Sequence, residues 1–80
     1  MSNDMKADKV LDCKGMKCPM PIIKTKMAMA TLQVGQVLEM IATDKGSKPD
    51  MAAFTQQTGH LLISMKEIDG IYTYYIRKTK

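Results

Sequence analysis

Eighty residues with 45% apolar side chains leave room for one packed domain, residues 1–80, and exclude both a second domain and a disordered chain. No apolar run approaches the roughly 18 residues of a membrane span, and Met1 to Lys9 is polar rather than signal-like, so a cytoplasmic protein is expected. The net charge of +4 fits a nucleic-acid partner, an acidic protein partner or plain solubility, because the lysines are scattered rather than blocked.

In chain order, Met1 to Ala7 is expected to be a frayed tail. A first strand is predicted over Lys9 to Cys13, with Leu11 and Cys13 on one face and Val10 and Asp12 on the other. Lys14-Gly15-Met16-Lys17 is a tight connection. A first helix follows from about Pro19 to Leu32, with Ile22, Thr25, Met29 and Leu32 as its inward stripe. This places Cys18 at the N-cap, Pro19 at the first helical position and Pro21 at the third, where neither proline removes an intrahelical hydrogen bond. Gly35 closes the helix.

A second strand is predicted from about Gln36 to Thr43, with Leu38, Met40 and Ala42 toward the helices. Residues 44–48 form a loop. A second helix opens at Pro49 and runs to about Thr58, with Met51, Phe54, Thr55 and Thr58 inward and Gly59 ending it. A third strand spans about His60 to Glu67, in which Leu61, Ile63 and Met65 alternate with Leu62, Ser64 and Lys66. Asp69-Gly70 signals a hairpin into a fourth strand, Ile71 to Lys78, with Tyr72, Tyr74 and Ile76 on one face. The order β-α-β-α-β-β implies an α/β two-layer sandwich: a mixed four-stranded sheet with both helices on one face.

The chemistry concentrates at Cys18. A helix N-terminus favours an anion by about 0.3–1 kcal/mol, less than the roughly 1.4 kcal/mol of one pKa unit, so Lys14 and Lys17 have to supply the rest of any activation. Cys13 shares the parity of Leu11 and reads as a small buried side chain; the other reading is a resolving thiol that pairs with Cys18. Met20, Ile23 and Met27 fall off the inward stripe, either as an exposed docking ridge or as the margin of a wider core. Lys14, Lys17, Lys24 and Lys26 fit acidic partner surfaces or a solvated face equally well. Cys13, Cys18 and His60 do not make a four-ligand zinc set, and no metal or cofactor is expected. His60 reads as a strand-start residue rather than a base. Tyr75 and Ile71 lie away from the helices, as a weak dimer surface or as ordinary exposure. Tyr75 with Arg77 is the one aromatic–basic pairing that an open nucleic-acid-binding sheet would use, so direct nucleic-acid binding is not expected.

Leu11-Asp12-x-x-Gly15-x-x-Cys18-Pro19-x-Pro21, followed by Lys24 and Lys26, resembles the signature of the TusA/SirA-type sulfur carrier proteins. The resemblance extends through Gly35, Asp44, Thr58-Gly59-His60, Asp69-Gly70 and Ile76-Arg77-Lys78. It implies a sandwich like the C-terminal domain of the third bacterial translation initiation factor. It also implies a persulfide carrier of sulfurtransferase type rather than a free-standing turnover enzyme. Cys18 would accept sulfur from a cysteine desulfurase or a rhodanese-like donor and pass it to a reactive cysteine of an acceptor, such as a DsrE-like protein, in tRNA thiolation, sulfur oxidation or cofactor maturation. Cys13 lies outside the motif. The competing readings are a small RNA-binding module and a Cys13/Cys18 thiol–disulfide switch.

Overall fold

The computed structural model describes residues 7–17 and 20–80. Its elements run β1 (Lys9–Cys13), α1 (Met20–Ala30), β2 (Val37–Ala42), α2 (Ser47–Thr58), β3 (Leu61–Ile68) and β4 (Ile71–Arg77). The strands form one mixed sheet in the order β1-β2-β4-β3. β1 lies parallel to β2, while β4 runs antiparallel to β2 and β3. The expected β-α-β-α-β-β sandwich is therefore the observed one. The tail expected over Met1 to Ala7 falls outside the described residues except for Ala7, which is already half-buried. At Asp8 the chain is tied down: its N–H donates to the Val37 C=O, and its carboxylate accepts from the Val37 N–H, both at 2.8 Å.

The core follows from strand parity. Cys13, Leu38, Met40, Ala42, Tyr72, Tyr74 and Ile76 are buried on the helix-covered face, against Ala28 and Met29 from α1, Leu32 just beyond it, and Met51 and Phe54 from α2. Leu11 and Ile22 are half-buried against this cluster. Thr25 and Thr55 are buried polar residues whose hydroxyls donate back to the carbonyls of Pro21 (2.7 Å) and Met51 (3.0 Å), so burial leaves neither without a partner.

The first helix is shorter than its apolar stripe implies. It ends at Ala30, and Leu32 packs into the core from the turn that follows. Lys78 holds that end: its ammonium donates to the carbonyls of Met29 (2.9 Å), which also accepts the Leu32 N–H at 3.1 Å, and Leu32 (2.7 Å).

The second helix begins earlier than expected, at Ser47 rather than Pro49. Asp44 sets this start, its carboxylate accepting from the Gly46 N–H and its C=O from the Ser47 N–H. Pro49 is then the third helical residue, still within the turn whose N–H groups have no intrahelical acceptor. Ser47 is buried, and its hydroxyl lies 2.7 Å from the phenolic oxygen of Tyr74. Gly59 ends α2 in the left-handed region, with φ of 83° and its N–H donated to the Thr55 C=O.

The regular alternation expected in the third strand is broken. Leu62 pairs with Ile76, but the next pair is Ser64 with Tyr75, so Ile63 is an extra residue in a bulge. The insertion reverses the parity. Leu62 and Met65 both end up on the helix side, opposite the buried Ile76 and Tyr74.

Candidate functional site

β1 delivers the chain to the site. Beyond Cys13 the backbone turns at once, the Met16 N–H donating to the Cys13 C=O at 3.1 Å with Gly15 at φ of 81°. A residue with a Cβ resists that conformation, which accounts for glycine here. Three contacts fix the turn. The Asp12 carboxylate accepts from the Lys14 N–H at 3.0 Å and lies 4.0 Å from the Lys14 ammonium. The Gly15 N–H donates to the Thr43 hydroxyl at 3.0 Å, which ties the turn to the end of β2. Further on, the Met20 N–H donates to the Lys17 C=O at 2.9 Å.

The expected N-cap thiol Cys18 and its neighbour Pro19 lie outside the described residues. Their flanks are described: Lys17 follows the turn after β1, and Met20 opens α1. Pro21 is buried in the first turn of α1. Beside this junction lies a cleft of about 430 Å³, lined by Gly15, Met16, Lys17, Thr43, Asp44 and Lys45.

The remaining candidates separate around α1. Met20 (42% exposed), Ile23 (42%) and Met27 (62%) form a solvent-facing ridge, so the wider-core reading is wrong for them. Lys24 and Lys26 stand about 160° apart on the helix and do not form one patch. Lys24 borders the β1 side with Lys9, Leu11 and Met27, and Lys26 borders the α2 side with Phe54. Lys17 is exposed, whereas Lys14 shares its charge with Asp12 in an exposed pair and contributes less field than a lone lysine.

Cys13 is fully buried. Loss of hydration, followed by the charge of Asp12, pushes its thiol above the ordinary range, and Lys24 offsets this only in part. It is therefore a poor nucleophile at neutral pH.

Residues 9–78 match the family described as sulfurtransferase TusA. The chain belongs to the TusA family. It is 50% identical to the putative sulfur carrier protein YrkI of Bacillus subtilis, over 92% of this chain and 99% of that one. It is 43% identical to the sulfur carrier protein TusA of Allochromatium vinosum, over 90% and 95% of the two chains. A SirA-like protein of Desulfitobacterium hafniense has the same fold, with a TM-score of 0.79 over 90% of this chain and 99% of that one at 24% identity.

One further reading changes with the structure of this TusA-family chain, and that of His60 stands. Tyr75, expected to be exposed on the open face, is only 9% accessible. It pairs across the strands with Glu39, and the Lys66 ammonium sits 5.9 Å from its ring centroid. Burial, then the Glu39 carboxylate, raises its phenol above the usual range. The stacking surface that an RNA-binding sheet needs is covered at this position. His60 is not free to act as a base on a ligand, because its Nδ1 accepts the Thr79 N–H at 3.2 Å and its ring packs against Phe54. Sequence reasoning missed Thr43 and Lys78 as contributors. Their partners are 28 and 46 or more residues away, and only the tertiary structure brings them together. Among the described residues no group of three or more Cys, His, Asp or Glu is placed to hold a metal, and no helix is long and apolar enough to cross a membrane.

Proposed function

We propose that this chain is a one-domain cytoplasmic sulfur carrier that bears sulfane sulfur as a persulfide on Cys18. The observation that carries the reading is the Cys18-Pro19-Met20-Pro21 motif at the β1–α1 junction of a TusA-family chain whose other thiol, Cys13, is sealed in the core. The relatives' names point the same way.

The Cys18 thiol loses its proton, and the thiolate attacks the outer sulfur of a donor persulfide. A new S–S bond forms as the donor's S–S bond breaks, and the donor leaves as a thiolate. An acceptor thiolate then attacks the outer sulfur of Cys18–S–SH, and Cys18 departs as a thiolate. No net oxidation occurs and no cofactor is required. Donor and acceptor are proteins with reactive cysteines, a cysteine desulfurase or rhodanese-like donor and a DsrE-like acceptor. They dock on the ridge of Met20, Ile23 and Met27 and the lysines beside it.

Loading with a cysteine desulfurase and cysteine, read by intact mass, tests this. The wild type and Cys13→Ala gain one sulfur atom removable by a reductant, and Cys18→Ser gains none. A polysulfide arm controls for a mismatched donor. Equal loading of Cys18→Ser and wild type overturns the proposal, and loss of loading in both cysteine variants replaces it with a two-thiol switch.

A further inference from the structure

We infer that the open face of the sheet, the one turned away from the helices, is a self-association surface. A second copy of this chain packs on it about a two-fold axis that runs parallel to the strands, between β2 and β4. The strands themselves call for a cover on that side. β4 reads Ile71-Tyr72-Thr73-Tyr74-Tyr75-Ile76 and β2 reads Val37-Leu38-Glu39-Met40-Ile41-Ala42. A sheet with water on one side alternates apolar with polar residues, whereas a near-continuous apolar run belongs to a strand covered on both sides. Among the described residues only the helix side is covered. On the open side Val10, Ile68 and Ile71 are exposed, and Val37 and Ile41 are half-buried. A cleft of about 340 Å³ among Glu39, Lys66, Ile68, Ile71 and Thr73 gives this face relief into which a side chain can fit.

The strand register shows what chemistry the face accepts. Asp12, Ile41, Thr73 and Lys66 lie in one row across the four strands, and Val10, Glu39, Tyr75 and Ser64 lie in the next. The first row is acidic at its β1 end and basic at its β3 end. The two-fold axis lays each row over itself in reverse, β1 over β3 and β2 over β4. Asp12 of one copy then opposes Lys66 of the other, twice, and Ile41 opposes Thr73. In the single copy Lys66 rests over the Tyr75 ring at 5.9 Å, and its long stem lets it turn outward. In the second row Glu39 opposes Tyr75, one pleat repeat from Arg77 on the same strand, which brings a second pair of opposite charges within reach. A two-fold interface needs this kind of self-complementarity. An axis across the strands would set each strand over its own copy and lose the pairing of opposite charges. A nucleic acid or an acidic segment would match only the margin at Lys66 and Arg77.

The size of the face sets the strength. Strands about 4.8 Å apart and up to eight residues long, at about 3.3 Å each, give it an outline of roughly 20 by 25 Å. That falls short of the roughly 800 Å² per partner of a standard interface, so the dimer is weak and concentration-dependent. The helices form its outer layers, and Met20, Ile23 and Met27 stay exposed in both copies.

Sedimentation equilibrium of the full chain from micromolar to millimolar concentration tests this, with dimer expected at the upper end. Lys66→Glu and Asp12→Lys each set like charges opposite one another. Each is expected to raise the dissociation constant by roughly three- to thirtyfold, the scale of two partly exposed ion pairs made repulsive. The double variant exchanges the two charges and is expected to return close to wild type. Thr73→Arg sets a bulky cation near the axis and is expected to stay monomeric with an unchanged circular dichroism spectrum. Concentration-dependent amide shifts in wild type are expected on the open face of β2, β4 and β3. A wild type that is monomeric throughout overturns the inference, whether its face is then bare or covered by residues 1–6 or by another partner. So does a dimer indifferent to both charge reversals, a double variant no tighter than the single ones, or shifts confined to the helices. If Asp12→Lys fails to fold, Lys66→Glu and the amide shifts decide.

Discussion

Replacing Lys78 by methionine removes a charge and two hydrogen bonds while keeping a stem of similar length. Lys78 binds the C-terminal end of α1, opposite the end at which Met20 stands, so the effect falls on stability. The ammonium lies 2.9 Å from the Met29 oxygen and 2.7 Å from the Leu32 oxygen, and the site is partly buried. A hydrogen bond involving a charged group contributes about 1.5–3 kcal/mol. Two such bonds from one ammonium share one desolvation cost, and water reaches the carbonyls in part once the ammonium is gone. A loss of about 2 kcal/mol is therefore expected, of which a cation at a helix C-terminus accounts for up to roughly half. For a domain of this size, with about 4–8 °C per kcal/mol, the melting temperature falls by about 8–16 °C. Urea unfolding by circular dichroism measures the loss directly, and amide exchange shows the last turn of α1 fraying. A change below about 0.5 kcal/mol refutes the reasoning, because it means that water serves the two carbonyls as well as the ammonium does.

Two further outcomes are expected. His60 has its pKa lowered by burial and then by Lys78 and Lys80, so the unfolded chain takes up its proton first as pH falls; the contribution is intact above the unfolded value of about 6.5 and is lost as pH drops through it. Urea midpoints between about pH 7.5 and 5.5 should fall more steeply in wild type than in His60→Gln, and equal slopes rule this out. Tyr74→Phe leaves the buried Ser47 hydroxyl without its 2.7 Å partner and should cost about 1–3 kcal/mol in chemical denaturation. Adding Ser47→Ala should recover much of that loss, and a double variant no better than the single one contradicts the pairing.

What the sequence made legible was governed by local chemistry. Strand parity put Leu38, Met40, Ala42, Tyr72, Tyr74 and Ile76 inward because each side chain alternates regularly across a pleated, half-buried sheet. The α2 start was misplaced because a proline fits any position of a first turn, and the Asp44 interactions that choose among them are not a sequence pattern. The Ile63 bulge was invisible because Leu62 and Ile63 are both apolar, so either parity looks acceptable until the Tyr75 and Ile76 partners are known. Tyr75 was misjudged because its cover comes from Glu39 on one neighbouring strand and Lys66 on the other, residues that a linear reading assigns to solvent. At the candidate site, a helix start that takes Pro21 in its first turn was readable from the prolines. The Gly15 to Thr43 bond depends on two strands in parallel register and could not be read in the same way.

The bulge in β3 bears on how the protein behaves in a crowded solution. β3 is one outer margin of the sheet, and β1, only five residues long, is the other. An outer strand that runs straight offers a row of backbone groups to which another chain can add. Here Ile63 interrupts that row, and Lys66 and Glu67 put charge along its remainder. A further strand has no continuous template on this side, and growth of the sheet from molecule to molecule is discouraged. The apolar ridge on α1 can then stay exposed without the chain polymerising through its sheet, so that contacts are made by side chains, remain reversible, and leave each molecule available for the next encounter.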